Sequence, residues 1–141
     1  MRCEIQSSAR GAPRPARVRA LLSRVARMTA PRAREVSILF CGDARMRGLN
    51  RRYRGMDRST DVLAFAPDAR PDRSFLGDIV VSVPYAQRQA RLRGERASRE
   101  MDRLLVHGFL HLLGYDHETD NGEMEALEAR VRKRLGITDS P

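Results

Sequence analysis

Tryptophan is absent from this chain of 141 residues, and Lys133 is its single lysine against 26 arginines. Aromatic residues make up only 5%, which argues against a base-stacking platform of the usual kind. There are two cysteines, Cys3 and Cys41, with no metal-ligand spacing. That excludes a zinc site built on cysteines, and a protein of this size needs no disulfide framework. No run of about 18 apolar residues occurs, so no transmembrane helix is expected. The opening MRCEIQSSARGAPRPAR lacks the apolar core of a signal peptide, so a cytoplasmic location is expected. Neither a G-x-x-x-x-G-K-[ST] phosphate loop nor a G-x-G-x-x-G dinucleotide turn is present.

What is present suits one globular domain over residues 1–141, with 41% hydrophobic and 32% charged residues. The formal net charge is +9 and the pI about 11.0. Such a balance favours a polyanionic partner, most simply nucleic acid. The arginine excess fits a GC-rich coding bias as well as phosphate binding.

Along the chain, residues 2–6 read as a short strand. Residues 16–28 carry Val18, Leu21, Leu22, Val25 and Met28 at helical spacing. Residues 35–41, EVSILFC, read as a strand, with Cys41 a small core residue. Asp43 is placed to cap a helix over 44–53 that ends near Gly55. Residues 61–66 and 76–83 read as strands, separated by a polar loop over 68–74. Pro84 opens a helix closed by Gly94. A long helix over 95–113 shows a stripe of Met101, Leu104, Leu105, Gly108, Phe109 and Leu112. A last helix over 123–135 is closed by Gly136, and residues 137–141 are expected to fray. The expected fold is α+β, a small mixed four-stranded sheet packed with about five helices.

All three histidines lie within residues 106–118, VHGFLHLLGYDHE. His107 and His111 are one helical turn apart, so their rings share a face and can share an ion. Gly114 suits the left-handed position that ends a helix, after which the chain turns and brings His117 back. Three imidazoles leave one tetrahedral position open for water, the catalytic pattern of zinc; Ni2+ or another divalent ion also suits imidazole. Asp116 either orients the His117 ring from behind or stabilises the turn after Gly114. For Asp57, Asp61 and Asp78, turn or cap hydrogen bonds are expected, and no residue stands out as a general base.

Two families resemble this stretch. The metzincin proteases share His107, His111, Gly114 and His117, but position 108 is Gly where they place the Glu that acts as general base. The segment HGFLHLLGYDH is more closely similar to the H-G-x-L-H-L-x-G-Y-D-H signature of the YbeY endoribonucleases, with every fixed position filled. A second YbeY signature, N-x-x-Y-R-x-x-D-x-P-T-D-V-L-S-F-P, is matched at Asn50, Tyr53, Arg54, Asp57, Thr60, Asp61, Val62, Leu63 and Phe65. Ser59, Ala64 and Ala66 depart from it, and read as loop variation apart from the hydroxyl lost at Ala64. LGDIVVS, residues 76–82, resembles a third segment, and Met124 and Glu128 stand where the family has a Met and a Glu. The resemblance implies a metal-dependent, single-strand-specific endoribonuclease of 16S rRNA 3′-end maturation and ribosome quality control. It implies one Zn2+ on His107, His111 and His117, with Arg54 the catalytic cation. Its partners would be single-stranded ribosomal RNA, the small ribosomal subunit and that subunit's assembly factors, with no membrane. The competing readings are a metzincin-like metalloprotease and a non-catalytic assembly factor whose metal is structural.

Overall fold

Residues Glu35–Cys41 alternate between the two faces of a sheet, and that alternation divides the molecule. Val36, Ile38 and Phe40 point into one apolar cluster, Leu39 and Cys41 into another. A computed structural model describes residues 1–67, 74–116 and 118–137. Most of the loop expected over 68–74, His117 and the tail beyond Ile137 lie outside that range.

In chain order the elements are β1 (Arg2–Ser7), α1 (Pro15–Thr29), β2 (Glu35–Cys41), α2 (Asp43–Arg54), β3 (Val62–Phe65), β4 (Phe75–Ser82), α3 (Val83–Arg93), α4 (Ala97–Leu112) and α5 (Glu123–Leu135). The sheet runs β1-β2-β4-β3. β1, β2 and β4 are parallel, and β3 is an antiparallel edge strand paired to β4. The expected α+β architecture, a mixed four-stranded sheet with five helices, is what the chain adopts. Among the described residues, no helix is long and apolar enough to cross a membrane.

The larger cluster joins α1 and α4 to one sheet face through Leu22, Val25, Ile79, Val81, Leu105 and Phe109. Each such side chain, fully buried, contributes about 1.5–3 kcal/mol. The stripe expected on α4 understates its burial. Val106 and Leu110 are also inside, as are Glu100, Asp102 and Arg103. The extra burial follows from its position, for α4 touches α1, α3, α5 and two strands. It approaches the sheet at Gly108, where an added Cβ would lie 2.8 Å from Ile79 Cγ2. A side chain at position 108, where the metzincin pattern places its glutamate, would press on Ile79.

The smaller cluster packs Met46 and Leu49 of α2 against Leu39, Leu63, Val80 and Phe65 on the opposite sheet face. Only part of that face is covered. Both cysteines are buried free thiols, and burial pushes both up from their ordinary pKa.

Two local expectations need correcting. Gly42, in extended backbone, is the N-cap of α2, and Asp43 is the first helical residue. From there its carboxylate receives Arg88 Nη1 at 2.7 Å, Ser59 Oγ at 2.7 Å and Ser82 Oγ at 3.1 Å. It ties α2 to α3 and to the loop before β3, so Ser59 is an anchor rather than loop filler. Ile137 does not fray either: it is buried against the main cluster, its N–H donating to Arg132 O.

The hydrogen-bonded Arg88 guanidinium beside Asp43 holds its carboxyl down at about 2, against an ordinary 3.8. A depressed folded pKa gives stability that is present above pH 3.8 and lost as pH falls toward about 2. The side chain is about a third exposed, so solvent screening limits the term to about 1 kcal/mol. Asp43→Asn should lower urea stability by about that much at pH 5, with the gap closing near pH 2. An unchanged gap at both pH values would show that the ionised carboxylate is not the source.

Candidate functional site

The second half of the YR-containing segment is folded by its own polar side chains. Asn50 is buried in α2, and its Nδ2 donates to Arg58 O at 2.9 Å. Gly55 takes the left-handed conformation at φ 70° that ends α2. Asp57 accepts two hydrogen bonds from Arg47, at 2.9 and 3.0 Å, folding the loop back along the helix. Asp61 accepts from Val62 N at 2.7 Å and starts β3. Asp61 thus has the turn hydrogen bond expected of it, whereas Asp57 is held by an ion pair to Arg47. Asp78 departs from the turn or cap role expected of it: it lies exposed within β4, its side chain makes no hydrogen bond among the described residues, and desolvation raises its pKa. These anchors leave Tyr53 and Arg54 at the exposed end of α2. Among the described residues, none hydrogen-bonds or ion-pairs with the Arg54 guanidinium.

On the other side, α4 ends where the glycine signal placed it. Gly114 has φ 99°, its N–H donates to His111 O at 3.0 Å, and Tyr115 N donates to Leu110 O at 3.3 Å. Half-buried His107 and His111 thus project from the last turns of a helix held on several sides. Their Nε2 atoms lie 3.0 Å apart and their rings meet edge to face, centroids 4.5 Å apart.

His107 Nδ1 is bound by the carboxylate of Glu128, reaching across from α5. Glu128 is buried between Met124 and Val131 on the inner side of that helix. A carboxylate on Nδ1 fixes the ring tautomer and leaves Nε2 as the ligating nitrogen. This donor set fits a divalent ion such as zinc. Nitrogens ~2.0–2.1 Å from a tetrahedral ion stand about 3.3 Å apart, close to the spacing seen. Among the described residues, no group of three or more His, Cys, Asp or Glu side chains forms a metal cage. The third expected ligand, His117, lies outside the described residues.

Behind His107 the helices carry a buried charge cluster. Arg103 pairs with Glu95, and with Glu100 at 3.5 Å; Arg93 reaches Glu100 at 3.2 Å. Burial pushes Glu100 up from its usual carboxylate range. Breaking such a cluster is costly because a lone buried charge remains.

The two imidazoles, Arg54, Tyr53, Asp61 and Asp116 line one cleft of about 620 Å³ along the outer edge of β3. Asp116 accepts from Glu118 N at 2.9 Å, and its carbonyl accepts from Thr119 N and Asp120 N. Those bonds belong to the turn. The carboxylate behind His107 is Glu128, and its signal in the sequence was an acidic residue on the core-facing side of an amphipathic helix.

A mixed α+β fold that sets two helical imidazoles and Arg54 in one cleft fits a nuclease better than a peptidase. A family model described as "Endoribonuclease YbeY" matches residues 8–136. The endoribonuclease YbeY of Desulforamulus reducens is 46% identical, with 73% of each chain covered. That of Geobacillus kaustophilus is 42% identical, with 85% of each covered. In structure the chain resembles the solution structure of TM1509 from Thermotoga maritima, with a TM-score of 0.65 and 25% identity over 96% of this chain and 90% of that one. The chain belongs to the endoribonuclease YbeY family.

Proposed function

We propose that the chain is a divalent-metal-dependent, single-strand-specific endoribonuclease that matures the 3′ end of 16S rRNA and acts in ribosome quality control, in contact with the small ribosomal subunit and its assembly factors. The proposed ligands are His107, His111 and His117, the ion zinc, and the place of action the cytoplasm, with residues 1–141 working as one domain. The observation that carries this reading is the pair of Nε2 atoms 3.0 Å apart in a cleft that Arg54 also lines. When bound, the ion supplies positive charge that acidifies water and polarises a phosphoryl oxygen. Arg54 orients the scissile phosphate and offsets the charge that grows on its oxygens. Glu128 keeps the proton on His107 Nδ1, so that Nε2 stays a lone-pair donor.

The test is cleavage of matched single-stranded and duplex RNAs by zinc-loaded and chelated protein. Arg54→Ala should cut about 10²–10³-fold more slowly with its metal content unchanged, the usual loss for one transition-state donor. Cleavage that survives chelation, or that treats duplex and single strand alike, overturns the reading.

Glu128→Ala should weaken metal binding about 10–100-fold, measured by competition with a chromophoric chelator. Glu128→Gln keeps an acceptor oxygen and should lose less. Equal affinities in both variants and the parent would show that the carboxylate only packs α5.

A further inference from the structure

The few aromatic residues argued against a stacking platform, yet two of them meet beside the cleft. Tyr53 of α2 and Phe65 of β3 lie with centroids 5.1 Å apart and planes tilted by 55°. Tyr53 is 57% exposed although it packs on Phe65. Both rings line the cleft that holds His107 and His111. Both also line a second cleft of about 630 Å³, which continues over the uncovered part of the sheet toward Ser37 and Asp78. The aromatic pair is where the two spaces join.

We propose that Tyr53, backed by Phe65, stacks a nucleobase of the single-stranded RNA next to the scissile phosphodiester. The inference rests on the endoribonuclease reading and names where its substrate is gripped. The lining of the second cleft holds Glu4, ion-paired to Arg2, the cation Arg45, and Asp78, which stands directly opposite Phe65 in the β3–β4 register. The Asp78 carboxylate on the Phe65 side is an acceptor that suits a base, whose amino and imino edges donate hydrogen bonds. The phosphates keep to the side of Arg52 and Arg54, which flank Tyr53 in α2. Arg52 Cζ now lies 5.4 Å from the Tyr53 centroid. A base stacking there displaces this guanidinium and frees it for a neighbouring phosphate. An unpaired strand can turn a base outward onto such a ring, and a duplex cannot.

Tyr53→Trp supplies the test, because the chain contains no other tryptophan. Its fluorescence in the metal-loaded protein should be quenched within the mixing phase, before turnover, by single-stranded RNA and not by duplex. Tyr53→Ala should raise KM about tenfold with kcat within about twofold, and Tyr53→Phe should restore the parent KM. RNA that binds by anisotropy without quenching, together with an unchanged KM in Tyr53→Ala, overturns the stacking site alone. RNA that is neither bound nor cut overturns the endoribonuclease reading with it. A fluorescence change that follows protein concentration in the absence of RNA assigns the rings to a contact between copies, and also overturns the proposal.

Discussion

Replacing His111 by alanine should remove metal binding and RNA cleavage together while leaving the fold in place. His111 is half-buried and faces the cleft, in the last turn of a helix whose stability comes from its other sides. Alanine is the best helix former, so secondary structure should be retained. Loss of a direct ligand exceeds the ~10–100-fold cost of losing an outer partner, so affinity should fall by more than about a hundredfold. Elemental analysis of the purified variant, circular dichroism and a cleavage assay are the three readouts. The contrast with Arg54→Ala is informative, since that variant should keep the metal and lose the chemistry. If His111→Ala cut RNA at the parent rate, the activity would belong to a contaminating nuclease or to a site elsewhere on the molecule.

The second large effect concerns stability. Gly77→Ala should cost about 3–4 kcal/mol, read by chemical denaturation, because strain and overlap act at the same point. Gly77 has φ 135°, a backbone region that side chains rarely enter. A Cβ there would lie 2.2 Å from the carbonyl oxygen of Phe65 and 2.9 Å from Leu112 Cδ2. The first neighbour is backbone and cannot rotate away. The site needs this glycine because β4 bulges here: Glu35 pairs with Phe75, but Ser37 pairs with Asp78. Leu112 follows His111, and Phe65 supports Tyr53, so relief of the clash would also shift both sides of the cleft. Gly108→Ala should cost less. Its nearest contact is an Ile79 methyl at 2.8 Å, and alanine gains about 1 kcal/mol of helix propensity. A Gly77→Ala variant as stable as the parent would show that the bulge can relax without loss.

Much of this molecule is legible one segment at a time. The apolar spacing of residues 16–28, the alternation of EVSILFC and the glycines at 55, 94, 114 and 136 mark the elements to within a few residues. The spacing of His107 and His111 announces a shared face, and the helix delivers it. These features depend on contacts within a few residues of one another, and periodicity encodes such contacts directly.

What the chain alone determined is which backbone stretches are helix or strand, which sides of them are apolar, and which two imidazoles stand together. The tertiary structure decided that α4 is buried on nearly all sides, that Glu128 of α5 holds His107, and that Tyr53 and Phe65 meet at the mouth of the cleft. The reason is distance along the chain. Those partners are brought together only after β3 docks as an antiparallel edge and α5 folds back on α4, and no local pattern of residues records where a crossover will end.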